Sequence, residues 1–187
     1  MSTAEHVGNM KHILLYGRRR SGRSAMIRAL LALVQLPVSG YETRTLRTNG
    51  DGYHEIYLFP YGSDGLTAGP ENHVGDCNTK ERVLYPEVFD TLGVQYLEYR
   101  TPGVLVMDEI GFMETEAERF CQTVLERLHG NTPVLAAVRA GMETPFLREV
   151  LACEDALVVE MEPGRFDSIY QELAPIVTEW NRKETEG

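Results

Sequence analysis

Ile13-Leu14-Leu15-Tyr16-Gly17-Arg18-Arg19-Arg20-Ser21-Gly22-Arg23-Ser24 is the stretch on which the fold turns. An apolar run ends in Gly17, and four residues separate that glycine from Gly22-Arg23-Ser24. This matches the phosphate-loop pattern G-x-x-x-x-G-K-[ST] at every position but one, where Arg23 stands in place of lysine. A helical stretch beginning with Ala25 follows. Strand, glycine loop and helix in that order aim backbone N–H groups and the positive end of a helix dipole at a bound phosphate. The expected phosphate-binding residues are therefore Gly17, Arg18, Arg19, Arg20, Ser21, Gly22, Arg23, Ser24 and Ala25.

Charge is distributed to match. The 187 residues carry a net charge of −10, yet no acid lies between Glu5 and Glu42, while Lys11, Arg18, Arg19, Arg20, Arg23 and Arg28 all fall there. A cationic island in an acidic chain suits a polyphosphate ligand. The acidic balance argues against a nucleic-acid partner. Hydrophobic and charged shares of 43% and 25% are those of a globular protein rather than a disordered one. The length suits one domain, 1–187. No apolar run spans a bilayer and no secretory leader opens the chain, so no membrane partner is expected. Cys77, Cys121 and Cys153 are odd in number and lack C-x-x-C spacing; reduced thiols, a cytoplasmic location and no zinc are expected.

Working outward, the first strand covers about 11–16. A helix runs from Ser24 to about Leu36, apolar nearly all round and so expected to be buried, and Pro37 stops it. Two β-like segments, 40–47 and 53–59, flank Thr48-Asn49-Gly50-Asp51-Gly52 and predict an antiparallel hairpin. Residues 61–79, rich in glycine, read as a long and mobile loop. A helix from Pro86 to about Tyr99 contains Gly93, and Thr101-Pro102-Gly103 is a turn. Thr115 and Glu118 predict a capping box opening a helix to about His129. Strands 134–138 and 156–161 alternate with helices 145–151 and 166–182. The pattern is that of a mainly parallel sheet covered on both faces.

A phosphate loop needs a partner carboxylate at the carboxyl end of a buried strand. Val104-Leu105-Val106-Met107 followed by Asp108-Glu109 supplies it. Asp108 and Ser24 are the expected Mg²⁺ ligands, and Glu109 stands ready to polarise a water. Arg23 keeps the charge of the usual lysine, but it is planar and prefers paired donor contacts. Affinity is therefore expected to survive better than turnover. Arg139, just past the end of strand 134–138, and Arg47 in the hairpin are further candidates for phosphate contact. For Glu114 the expected role is structural, beside a helix start. His73 and Cys77 make a poor metal pair. Trp180 and Tyr170 read as packing residues.

With these parts in place, the chain resembles the small nucleoside-triphosphatase family of P-loop proteins, first described from thermophiles and later as a cancer-related NTPase. The likeness is carried by Ile13 to Ser24, by Gly40-Tyr41-Glu42-Thr43 continuing to Arg47 with Asn49-Gly50, and by Val106-Met107-Asp108-Glu109-Ile110-Gly111-Phe112-Met113-Glu114. Pro133 to Arg139 and Pro145-Phe146-Leu147 add to it, so that residues 12 to about 170 are spanned. The resemblance implies a RecA-like three-layer α/β sandwich with Mg²⁺-dependent, slow hydrolysis of ATP, GTP and other nucleoside triphosphates and little base selectivity. It implies Asp108 as the metal-site acid and Glu109 as the general base. Two departures stand out: Arg23, and Gly52-Tyr53-His54 where the family more often has Gly-Phe after a basic residue. Two other functions are compatible with the same motifs. One is a small-molecule or nucleotide kinase, against which counts the absence of any arginine in the long loop before Arg82. The other is a nucleotide-binding regulatory or scaffold protein that turns over weakly.

Overall fold

The computed structural model of the chain describes residues 10–48, 50, 52–78, 80–98 and 103–183, and the side chains of Arg47 and Lys183 are outside that description. Eight strands form one sheet: β1 (His12–Gly17), β2 (Val38–Thr48), β3 (His54–Pro60), β4 (His73–Cys77), β5 (Arg82–Leu84), β6 (Val104–Ile110), β7 (Val134–Arg139) and β8 (Ala156–Glu160). Their spatial order is β5-β4-β3-β2-β6-β7-β1-β8. The strands from β2 to β8 along this order pair in parallel, and those from β5 to β2 pair antiparallel. The hairpin of β2 and β3 forms as expected, but it is half of a larger antiparallel extension.

Helices cover both faces. On one lie α1 (Arg23–Leu31) and α5 (Phe166–Lys183). On the other lie α2, α3 (Glu118–Leu128) and α4 (Pro145–Leu151); α2 is built of Pro86–Val88, a π-helical turn Phe89–Gly93, and Val94–Leu97. Period-two alternation explains how one sheet serves two cores. Ile13, Leu15, Val104, Val106 and Leu135 pack toward α1 and α5, where Trp180 is buried. Leu14, Leu105, Met107 and Val134 pack toward the other three helices, with Phe89 and Phe120. No helix of the described residues is long and apolar enough to cross a membrane.

β2 belongs to both parts of the sheet. Val38 to Glu42 pairs with β6, and Tyr41 to Thr48 pairs with β3. Gly40 sits at the junction with φ +116°, and a Cβ there would fall 1.9 Å from the carbonyl oxygen of Val106. Only glycine lets the two backbones meet at this separation.

Four expectations change. α1 ends at Leu31, six residues ahead of Pro37, and buries one face only, with Met26, Ile27 and Leu30 inward and Ala25 and Arg28 exposed. It lies on the sheet rather than within it. Residues 61–79 are not one loop, because β4 occupies 73–77 and adds to the hairpin edge. The Thr115–Glu118 capping box does not form. Ala117 is the N-cap of α3, Thr115 Oγ1 is buried without a partner, and Asp90 of α2 accepts from the Phe120 N–H at 2.9 Å instead. Glu114 does precede that helix, but it is buried, and its carboxylate accepts from the Gly111 N–H. Burial pushes its acid up to about 7. Asn49, Asp51, Tyr99, Thr101 and Pro102 lie outside the described residues, so the hairpin tip, the end of α2 and the turn after it are not part of this comparison.

One buried polar residue carried no sequence signal. His12 opens β1 fully buried, its Nδ1 accepting from the Val134 N–H at 3.2 Å. Burial lowers its pKa to about 4, so the imidazole is neutral near pH 7.

Candidate active site at the phosphate loop

The loop between β1 and α1 has the backbone its sequence demands. Arg20 takes φ 64° and Gly22 takes φ 89°, while the Ser21 N–H donates to the Arg18 carbonyl at 3.2 Å. Gly22 is the N-cap of α1 and its carbonyl accepts from the Met26 N–H at 2.9 Å. The left-handed turn at Gly22 starts the helix immediately after the loop. Ser21 Oγ is buried with no hydrogen-bond partner, held close to Gly17, where an added Cβ would lie 2.5 Å from it.

Arg23 opens the helix and is 6% exposed. It turns across the cleft to Glu109, with Nη2 2.7 Å from Oε2. Arg139, at the end of β7, takes the other oxygen, with Nη1 3.0 Å from Glu109 Oε1. Next to this triad Ser24 Oγ donates to Asp108 Oδ1 at 2.9 Å. Residues separated by 84 and 30 positions in sequence thus converge at the carboxyl ends of three adjacent parallel strands, the edge where open α/β sheets bind ligands.

A local irregularity lets both acids serve one cleft. Asp108 pairs with Ala137 and Ile110 with Val138, leaving Glu109 as the extra residue of a bulge. Bulges re-aim side chains that strict alternation would send to opposite faces. β2 braces the segment: Tyr41 Oη donates to the Glu109 carbonyl at 3.3 Å, and Thr43 Oγ1 to the Asp108 carbonyl at 3.4 Å.

Burial dominates the electrostatics of Asp108. It pushes the acid up to about 6, against the Ser24 bond and the Arg23 charge that pull it down. A buried carboxylate of this kind gains from a cation close by. Serine hydroxyl and aspartate carboxylate are oxygen donors of the kind that Mg²⁺ takes, usually with waters and phosphate oxygens completing its shell. Among the described residues no group of three or more His, Cys, Asp or Glu is placed to hold a metal. His73 pairs with Asp76 at 3.0 Å and stacks on Tyr57, which accounts for it without Cys77.

Arg23 also has donors to spare. Its Nε and Nη1 are buried and have no hydrogen-bond partner. Buried unpaired donors cost about 1–3 kcal/mol each and require an explanation.

Two cavities flank the loop. One, of about 480 Å³, opens over Ser24, Asp108, Glu109, Arg19 and Arg139. The other, of about 590 Å³, lies on the far side of the loop, between Arg18 to Ser21 and the segments that follow β7 and β8. Of the expected phosphate-binding residues, Arg18, Arg19 and Arg20 are exposed at these openings, while Ala25 is exposed and lines neither.

Residues 12–174 match the family model described as NTPase. The chain belongs to that family. It is 26% identical over 176 residues to the nucleoside-triphosphatase THEP1 of Thermotoga petrophila, covering 92% of this chain and 95% of that one. Against the cancer-related nucleoside-triphosphatase homolog of Mus musculus it is 24% identical over 193 residues, covering 89% and 96%. The fold matches the crystal structure of THEP1 from Aquifex aeolicus with a TM-score of 0.71 at 19% identity, over 89% of this chain and 98% of the other. It matches the solution structure of a human cancer-related nucleoside triphosphatase with a TM-score of 0.66 at 20% identity, over 90% and 98%. The P-loop α/β sandwich with a mixed sheet, expected from the sequence, is the architecture of this chain.

Sequence reasoning named Arg23, Ser24, Asp108, Glu109 and Arg139, and the fold brings them together. It missed that Arg23 and Arg139 both pair with Glu109. A loop arginine in the place of lysine was the one available signal, because guanidinium seeks a carboxylate.

Proposed function

We propose that this NTPase-family protein binds a nucleoside triphosphate, ATP or GTP, together with Mg²⁺, and hydrolyses it slowly to the diphosphate and phosphate. One observation carries the reading: the loop residues Arg23 and Ser24 meet Asp108 and Glu109 at one cleft, with Arg23 Nε and Nη1 buried and unpartnered. Phosphate oxygens are the acceptors that would satisfy those donors. The triphosphate tail then lies along the loop, its terminal phosphate on the side of Ser24 and Asp108. The nucleoside sits in the cavity beyond Arg18 to Ser21, whose open walls suit low base selectivity. Ser24 and Asp108 would hold Mg²⁺, which when bound offsets charge on the phosphate oxygens as the terminal P–O bond breaks.

Glu109 accepts the proton of the attacking water. Both its oxygens are engaged by guanidiniums, which crowd the approach of a water to the carboxylate. A triphosphate competes for Arg23 with a greater negative charge, and substrate binding thereby frees the base. That exchange is a physical reason for slow turnover. A loop lysine, a compact point charge, would not make the same planar pairing with the carboxylate. The double pairing of Glu109 also favours a second reading, nucleotide binding without turnover.

We read residues 1–187 as one domain. We also place the chain in a reducing, cytoplasmic setting, which fits three free cysteines whose thiols burial pushes up, Cys121 to about 12. The test is a pair of variants assayed for Mg²⁺-ATP binding and phosphate release. Arg23→Ala weakens binding by at least about tenfold, through loss of charged phosphate contacts. Glu109→Gln keeps binding and lowers hydrolysis by about 10²-fold or more, the usual worth of a general base. Parent-like hydrolysis by Glu109→Gln rejects Glu109 as the base. Tight binding with no release by the parent protein selects the second reading.

A further inference from the structure

The cleft over Ser24 and Asp108, of about 480 Å³, extends well away from the phosphate loop. Its far wall is not made by the phosphate loop. It comes from the antiparallel extension: Thr45 of β2, His54 and Ile56 of β3, Asn78 after β4, and Arg82 of β5.

Arg82 gives this wall its chemistry. Its guanidinium lies 4.5 Å from the centroid of the Phe112 ring, and Arg139 reaches the same ring at 5.8 Å. Arg82 Nη1 also donates to Met142 Sδ at 3.9 Å. Among the described residues Arg82 has no carboxylate within ion-pair distance, whereas Arg139 is held by Glu109. The chain Glu109–Arg139–Phe112–Arg82 therefore runs across the cleft from a paired carboxylate to an unpaired cation braced on an aromatic face. Two arginines face the single charge of Glu109, and Arg82 and Arg19 add further cations to the lining, so the side of the cleft away from Asp108 is positive. Thr45 and Asn78 line the same cavity, the Asn78 amide oxygen accepting from the Lys80 and Glu81 N–H groups, and Ile56 and Met113 add apolar lining.

We propose that this cleft is an acceptor subsite, and that the protein transfers the terminal phosphoryl group to a small alcohol bearing a phosphate or carboxylate. The anionic group is held at Arg82 and the hydroxyl faces the terminal phosphate. This rests on the nucleotide reading given above. In the transfer step the acceptor oxygen forms a new P–O bond while the β–γ bridging P–O bond breaks. The leaving electron pair stays with the diphosphate, and the hydroxyl proton passes to Glu109. Hydrolysis is the same step with water in the acceptor's place.

The test incubates the full chain and Mg²⁺-ATP with glycerol 3-phosphate and with glycerate in separate arms, reading ADP release and phosphorylated product by mass spectrometry. Binding of ATP alone is measured on the same preparation. The expected result is phosphorylated product in the phosphate or the carboxylate arms, with ADP release raised about tenfold or more. Arg82→Gln then raises the acceptor KM about tenfold, the worth of one charge-assisted contact, and moves the ATP KM less than about threefold. If ATP binds but no arm gives product, or if Arg82→Gln leaves the acceptor KM unmoved, the subsite is rejected and the nucleotide reading stands. If ATP does not bind, both fall.

Discussion

The two parts of the sheet are built on different terms. In the parallel part, β1, β6 and β7 are buried nearly end to end, and their carboxyl ends place the loop, Asp108, Glu109 and Arg139 within hydrogen-bond reach of one another. In the antiparallel part, β5 is largely exposed and Val83 is 48% accessible, with polar side chains turned to the cleft. The first part fixes a constellation by packing, and the second shapes what can lie opposite it. The chemistry proposed above, which needs sub-ångström placement, falls to the more deeply buried part.

Gly40, where the parts join, is the place to break the comparison. Gly40→Ala puts a methyl group against the Val106 carbonyl at a φ that alanine avoids. A loss above about 4 kcal/mol, or failure to fold, is expected in urea denaturation. A loss under about 1 kcal/mol would mean the junction yields, and the two parts are less rigidly joined than described.

Glu114 sharpens it next, because it lies just beyond β6 in the more deeply buried part. Its folded pKa is raised from the usual value to about 7, so the folded state holds the proton more tightly than the unfolded one. Its contribution is fully present below about pH 4.5 and is lost as pH rises through 7, by about 3 kcal/mol in all. Glu114→Gln removes that fall, so the stability difference between variant and parent should grow by this amount from pH 4.5 to 8. A difference independent of pH would show that Glu114 is not buried as described. His12 acts in the opposite sense: its lowered pKa makes its contribution present above about pH 6.5 and lost as pH falls toward 4.

The smallest effect is expected at the exposed edge. Val83→Thr should change stability by less than about 0.5 kcal/mol, as surface substitutions usually do. A loss above about 1 kcal/mol would show that β5 is covered in solution.

How much of this was legible in the sequence follows the same division. The phosphate loop and the acid pair are encoded at short range, by spacing and by an apolar strand before each, and both sat where expected. β4 and β5 were hidden because His73-Val74-Gly75-Asp76-Cys77 is short and poor in strand formers, and it is held by pairing with β3 and β5 rather than by propensity. The capping box failed because a cap can come from elsewhere in the fold, here Asp90, thirty residues from the N–H it accepts. The burial of α1 was overstated because apolar alanines and leucines do not reveal which face meets the sheet. Neither the pairing of Arg23 with Glu109 nor the arrival of Arg82 at the cleft could be read locally, since each depends on how distant strands are ordered.

The account rests on the loop and the acid pair acting as one nucleotide site, and calorimetric titration of the protein with ATP, with and without Mg²⁺, followed by phosphate release on the same preparation, tests that most directly. It predicts saturable one-to-one binding, strengthened by Mg²⁺, with slow release of phosphate. No heat of binding with Mg²⁺ present, or binding that Arg23→Ala leaves unchanged, would contradict it.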